Sequence, residues 1–168
     1  MSVSDVTALT TLAVGTVTAA AIDLRTRRVP NALTISLAAV GIVTAAAGFG
    51  HVDTWAALTG CAVGLLLMLP GHVFGATGAG DVKLFAAAGA LLGPAMAVRA
   101  FLFTAVAGGS IALLVAIGRR RLGVTLRRTV SLVSTPRGTA AEIERAVDNR
   151  FAYAPAIAVG TLVAALGW

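Results

Sequence analysis

Charge is scarce in this chain. Of its 168 residues only 12% are charged, 58% are hydrophobic, and the mean hydropathy is +0.92. A soluble domain carries about 25% charged residues, so the deficit excludes an ordinary water-soluble globule and points to a membrane protein. Cysteine is nearly absent. Cys61 stands alone in an apolar run, which excludes an internal disulfide or a multi-cysteine zinc site and reads as a small buried apolar residue. Histidine is limited to His51 and His72. They are far apart in sequence, with no cysteine or ligand-spaced glutamate near either, and both read as loop residues. Lys83 is the one lysine among 13 basic residues, and the net charge is +6. In a soluble chain such basicity would suggest nucleic acid. Here the basic residues fall between apolar runs, so no nucleic-acid partner is expected and membrane topology accounts for them. The first apolar run has no Lys or Arg before it and carries Asp5 instead. A cleaved signal peptide has a positive start, so the run is expected to be a retained span.

A membrane helix needs about 20 mostly apolar residues. Six runs qualify as candidates: about Val6–Leu24, Asn31–Phe49, Thr54–Phe74, a short one at Asp81–Leu92, then Ala95–Gly118 and Phe151–Gly167. Gly and Pro punctuate their ends at Arg25–Pro30, Gly50–Asp53, Pro70-Gly71, Gly75–Gly80 and Gly93-Pro94. With the N-terminus outside, the inner loops are Arg25–Val29, Gly71–Lys83 and Arg119–Arg150. These hold every basic residue except Arg99, in keeping with the positive-inside rule. The expected fold is therefore an all-α membrane protein, a six-transmembrane-helix bundle forming one domain over residues 1–168, with both termini outside. The inner loop of about residues 119–150 holds a stretch, Ala140–Val147, that reads as a short amphipathic helix at anionic headgroups. No internal repeat is visible.

Asp5, Asp53 and Asp148 fall in terminal or loop positions and read as solvated. Asp23 and Asp81 differ. Asp23 ends the apolar run of the first span, and Asp81 opens the fourth, so both sit at helix ends on one face of the membrane. An ionised residue at mid-helix costs about 2.5–3.5 kcal/mol on the insertion scale, and a carboxylate near the interface still needs water or a partner. Before Asp81 stands Gly78-Ala79-Gly80, a stretch without side-chain bulk. Glycine permits positive φ and close backbone approach, and irregular backbone at membrane depth lines a cavity or is buried in protein. Two carboxyls held close cannot both ionise easily. One can activate water while the other protonates a departing amine, so peptide hydrolysis by this pair requires no cofactor and no metal.

These residues resemble a known family. Gly78-Ala79-Gly80-Asp81-Val82-Lys83-Leu84 is similar to the signature of the prepilin peptidases, or type IV leader peptidases, which are GxGD intramembrane aspartyl proteases. The likeness continues through Ala86–Gly93. Asp23, followed by Arg25, Arg27, Val29, Pro30, Asn31, Leu33 and Thr34, resembles the family's acid, basic patch and Ile-Pro-Asn-x-Leu-Thr element. Tyr153-Ala154-Pro155-Ala156-Ile157-Ala158 with Gly160 resembles its last segment. The resemblance implies that Asp23 and Asp81 are the catalytic pair and that Gly78 and Gly80 shape the loop presenting Asp81. It implies that Lys83 steadies the site or anchors at the interface, that Pro30 and Asn31 start the second helix, and that Arg25, Arg27 and Arg28 fix topology and meet substrate charge. The implied activity is removal of the basic leader from a prepilin or pseudopilin at the cytoplasmic face of a bacterial inner membrane. The substrate helix would enter from the lipid. The larger family members carry paired-cysteine motifs tied to N-methylation. This sequence has only Cys61 and resembles the small form found with Flp-type pili, so peptidase without methyltransferase is expected. The competing reading is a small proton-coupled transporter or channel component using the same acids as a relay. It predicts acids near the midplane and pseudo-symmetric halves, whereas these acids sit at one face.

Overall fold

The computed structural model describes residues 3–118 and 153–167. The inner loop, its Ala140–Val147 stretch and Asp148 lie outside the described residues. Those that are described form helices and turns, with no strand among them.

Helix α1 (Val3–Thr26) has Asp5 in its first turn and Arg25 in its last, each matched to the helix dipole. Its buried residues Ala8, Leu12, Gly15, Thr16, Ala19 and Asp23 recur at three- and four-residue steps. Asp23 is therefore the last member of the stripe that faces the bundle. The helix stops at Arg27, a non-glycine residue at φ 52° whose N–H donates to the Asp23 carbonyl at 2.7 Å. Pro30 follows in extended conformation as the N-cap of α2 (Asn31–Ala46), one position before the first helical turn in which the sequence placed it. Gly48 at φ 74° ends α2, with Phe49 N–H bonded to the Thr44 carbonyl and Gly48 N–H to that of Ala45. This is the Schellman closure that glycine favours. The side chain of Asp53 caps α3 (Thr54–Val73) by accepting from Ala56 N–H at 2.7 Å. Gly75, at φ 73°, closes the other end of that helix.

Helix α4 (Ala79–Gly118) is interrupted at Gly93, which has φ 76° and ψ 170° and precedes Pro94. It is two helical segments end to end, divided where Gly93-Pro94 predicts. Helix α5 (Ala154–Ala165) is shorter than the apolar run that encodes it. Three helices, α1, α3 and α4 through Leu114, are long and apolar enough to cross a membrane, while α2 and α5 are shorter apolar helices.

The first segment of α4 forms the axis of the bundle. From Asp81 to Gly93 every residue except Lys83 is buried, which suits a helix apolar on all sides. Leu84, Phe85, Ala87, Ala88, Leu91 and Leu92 form one cluster with Leu12, Leu37, Met68 and Ile157. Helices α2, α3 and α5 pack on α4, and α1 packs chiefly on α5. Small residues set the spacing. A Cβ on Gly60 would collide with the Gly89 carbonyl and lie 2.8 Å from Gly93 Cα, and one on Gly160 would strike Thr104. Such backbone approach is how helices associate in lipid, where apolar burial alone gives little drive. The outward surface is apolar, with Val14, Leu24, Trp55, Leu66, Leu102 and Leu114 all exposed.

Candidate active site

Asp23 and Asp81 are the two buried acids among the described residues, 5% and 6% exposed. Each is held by local geometry. Asp81 is the third residue of α4, and its Oδ2 accepts from Gly78 N–H at 2.9 Å. A side chain at that position reaching back to the N-cap amide is half of a capping box. Asp23 gets its place from the buried stripe of α1. Its Oδ2 accepts from Ala154 N–H at 3.3 Å, across 131 residues of chain. That amide belongs to the first turn of α5, where free N–H groups and the helix dipole favour an anion.

The glycines before Asp81 do not serve a left-handed backbone. Positive φ among the described glycines occurs at Gly48, Gly75 and Gly93 only. Gly78 and Gly80 provide close approach instead. A Cβ on Gly78 would sit 3.1 Å from Asp81 Oδ2, and one on Gly80 would sit 3.0 Å from Val29 Cβ. The second contact brings the start of α4 against the turn that follows Asp23. Three residues beyond Gly80, Lys83 Nζ donates to Asn31 Oδ1 at 2.9 Å, tying α4 to the first residue of α2. Both partners are exposed, so the bond braces the rim. Thr26 Oγ1 donates to the Ile22 and Arg28 carbonyls at 2.9 and 3.1 Å, which stiffens the turn between Asp23 and Val29.

Sequence reasoning gave Tyr153 and Ala154 no individual role. In the fold Ala154 N–H holds Asp23, and the Tyr153 ring rests on Gly108. The available sign was Pro155, which marks a helix start. It could not say which side chain that start would face.

Other expectations need correction. Asp53 is the N-cap of α3, and Asp5 Oδ1 pairs with His51 Nδ1 at 2.6 Å, so neither is a merely solvated acid. His72 Nδ1 bonds to the Thr77 carbonyl at 3.1 Å from the last turn of α3. Cys61 is half-buried on α3. Among the described residues no three His, Cys, Asp or Glu side chains gather as a metal site. A pocket lined by Thr7, Thr11, Thr44 and His51 lies at the opposite end of α1 from Asp23. Its Thr7 and Thr44 hydroxyls are engaged with helix carbonyls, so it offers no counterpart to the acid-bearing end.

The model of the Type IV leader peptidase family matches residues 10–113. The chain belongs to the type IV leader peptidase family. It is thereby a membrane protein of a protease family whose substrates, as a class, are prepilin-like. No curated protein and no solved structure matches the chain. The region matched to the leader peptidases contains Asp23, Asp81 and the turns that join them, and it ends before Tyr153 and Ala154.

Proposed function

We propose that this leader peptidase is an intramembrane aspartyl endopeptidase in which Asp23 and Asp81 form the reacting pair. The observation that carries the reading is the burial of both acids, with Asp23 held by the Ala154 N–H and Asp81 by the Gly78 N–H. The contact of Gly80 with Val29 and the Lys83–Asn31 bond support it by joining the two acid-bearing motifs.

In the reaction one carboxylate takes a proton from water as its oxygen attacks the scissile carbonyl carbon. The other, protonated, carboxyl gives its proton to the nitrogen as the C–N bond breaks. The leader leaves with a new carboxyl end and the pilin with a new amine. The pair shares a proton because like charges at short range oppose double ionisation, and each transfer contributes about 10²–10⁴-fold. Gly78 and Gly80 shape the approach to Asp81, while Pro30, Asn31 and Lys83 brace the facing turn.

The topology that suits this chemistry has six spans, both termini outside, and both acids at the cytoplasmic face of a bacterial inner membrane. Twelve of the 13 basic residues then lie on that face. The substrate is a prepilin or pseudopilin, of the Flp type, whose apolar helix enters from the lipid with its basic leader in the cytoplasm.

The test is co-expression with a C-terminally tagged prepilin from the same genome. Wild type shortens the tagged protein by the leader length. Cleavage that persists with both Asp23→Asn and Asp81→Asn would mean the acids are not the reacting pair.

A further inference from the structure

The peptide between Thr77 and Gly78 is gripped on both edges. Its N–H is the Gly78 amide, which donates to Asp81 Oδ2 at 2.9 Å. Its carbonyl is that of Thr77, 3.1 Å from His72 Nδ1. A carbonyl only accepts, so Nδ1 carries a proton and donates. The peptide unit is planar and trans, with its C=O and N–H on opposite edges. His72, this one plane and Asp81 therefore form a continuous hydrogen-bonded chain from the last turn of α3 to the first turn of α4.

The turn is built to make that chain. The Gly71 carbonyl accepts from Ala76 N–H at 2.8 Å and from Thr77 N–H at 3.1 Å. Thr77 is thus held at its N–H by Gly71 and at its C=O by the next residue, His72. A Cβ on Gly71 would sit 3.2 Å from Thr77 Oγ1, so glycine there lets Thr77 close in. Between these anchors Val73, Phe74, Gly75 and Ala76 are all exposed. Glycines at 75, 78 and 80 give the stretch little stiffness of its own. Glycine at 78 also accepts the positive φ that a flip of the Thr77–Gly78 plane would require. A flipped plane would turn the Thr77 carbonyl, in place of the Gly78 N–H, toward the Asp81 carboxyl.

We propose that His72 is a positioning residue: its Nδ1–H pins the Thr77 carbonyl and thereby fixes and polarises the peptide whose N–H orients Asp81. The inference rests on Asp81 being one of the reacting acids. A carbonyl that accepts a hydrogen bond makes the N–H of the same peptide a better donor, and a bond from N–H to carboxylate is of the strong, charge-assisted kind. A carboxyl that must transfer a proton in line with a substrate needs its plane held in one direction. His72 supplies this through the peptide, without acting on the scissile bond.

Cleavage of a prepilin in membranes should be compared for wild type, His72→Phe, His72→Asn and His51→Asn. His72→Phe keeps the bulk and loses the donor, and should lower kcat about tenfold with KM changed by less than about twofold. His72→Asn is smaller but offers an amide N–H where Nδ1 stood, and should stay within about threefold of wild type. A role in filling space alone predicts the reverse order. His51→Asn should match wild type. A second readout does not depend on cleavage. The sequence has two Thr–Gly peptides, Thr59–Gly60 and Thr77–Gly78. Protein labelled with carbonyl-¹³C threonine and ¹⁵N glycine in detergent therefore gives two carbonyl-coupled amide signals by NMR, and Gly60, inside α3, is the internal reference. The Gly78 proton is the one that moves in Asp81→Asn. It should move upfield in His72→Phe and stay near its wild-type position in His72→Asn, with Gly60 fixed throughout. An unmoved Gly78 signal in His72→Phe overturns the inference whether or not any prepilin is cut. So does a wild-type kcat in His72→Phe, or a His72→Asn as impaired as His72→Phe. A wild-type chain that cuts no prepilin while its Gly78 signal responds to His72→Phe would sink the peptidase reading and leave the link from His72 to Asp81 standing.

Discussion

The two ends of α1 treat their acids differently. At one end Asp5 pairs with His51, and nearby Asp53 caps the helix that follows it. These contacts complete local structure, and Asp53 is exposed. About 27 Å along the helix, at 1.5 Å per residue, Asp23 is buried and takes its hydrogen bond from a distant helix start. Asp81 combines both patterns. It bonds back to the Gly78 amide at the start of its own helix, yet it is 6% exposed. A capping carboxylate needs no burial, since water serves its remaining lone pairs. The burial of Asp23 and Asp81 therefore calls for an explanation other than helix capping, and paired acid–base chemistry supplies one.

The comparison is tested hardest by amide substitution. Asp23→Asn and Asp81→Asn should each lower prepilin cleavage by at least about 10³-fold while the protein stays inserted. Asp53→Asn should cleave like wild type, because Asn caps a helix as well as Asp. Equal effects from Asp53→Asn and Asp81→Asn, scored by gel shift of a tagged prepilin, would erase the distinction between the two ends.

A steric change asks whether the two motifs must touch. Gly80→Val would force the start of α4 away from Val29. The expected outcome is a loss of roughly tenfold or more in cleavage, with overpacking of about 1–3 kcal/mol in stability. Full activity would show that the contact of Gly80 with Val29 does not set the site.

Asp53→Ala should cost about 1 kcal/mol of stability through the lost cap and leave kcat unchanged, as read by thermal inactivation in detergent beside the cleavage rate. A change in kcat would bring the far end into the mechanism. The smallest effect belongs to the rim. Lys83→Met should remove an exposed bond to Asn31 worth no more than about 1 kcal/mol and slow cleavage about twofold to fivefold. Asn31→Ala added to it should do no further harm. A loss as deep as that of Asp81→Asn would move Lys83 from brace to reacting centre.

Much of this was legible in the residues. Apolar runs and Gly/Pro punctuation marked the helices, including the break at Gly93-Pro94, because those signals are local and backbone-encoded. The run that encodes α5 overshot the helix, since hydropathy does not report where a first turn finds a partner for its N–H groups. Asp23 and Asp81 stood out because a carboxylate beside an apolar run is costly wherever it lies. The role of Gly78 and Gly80 was only half legible. Glycine permits both positive φ and close approach, and only the neighbours Val29 and Asp81 decide which is used.

Composition and pattern by themselves determined that this is a helical membrane chain, where its helices break, and which two acids lack an ordinary place. They could do so because desolvating charge and backbone dominates the energetics of every residue in lipid, independently of its distant neighbours. Tertiary structure alone decided that the α4 segment beginning at Asp81 runs through the middle of the bundle and that Gly80 rests on Val29. It decided too that the start of α5 reaches Asp23, with Tyr153 on Gly108. Those are contacts between segments up to 131 residues apart, fixed by how small residues let backbones approach, and no single stretch of sequence encodes them.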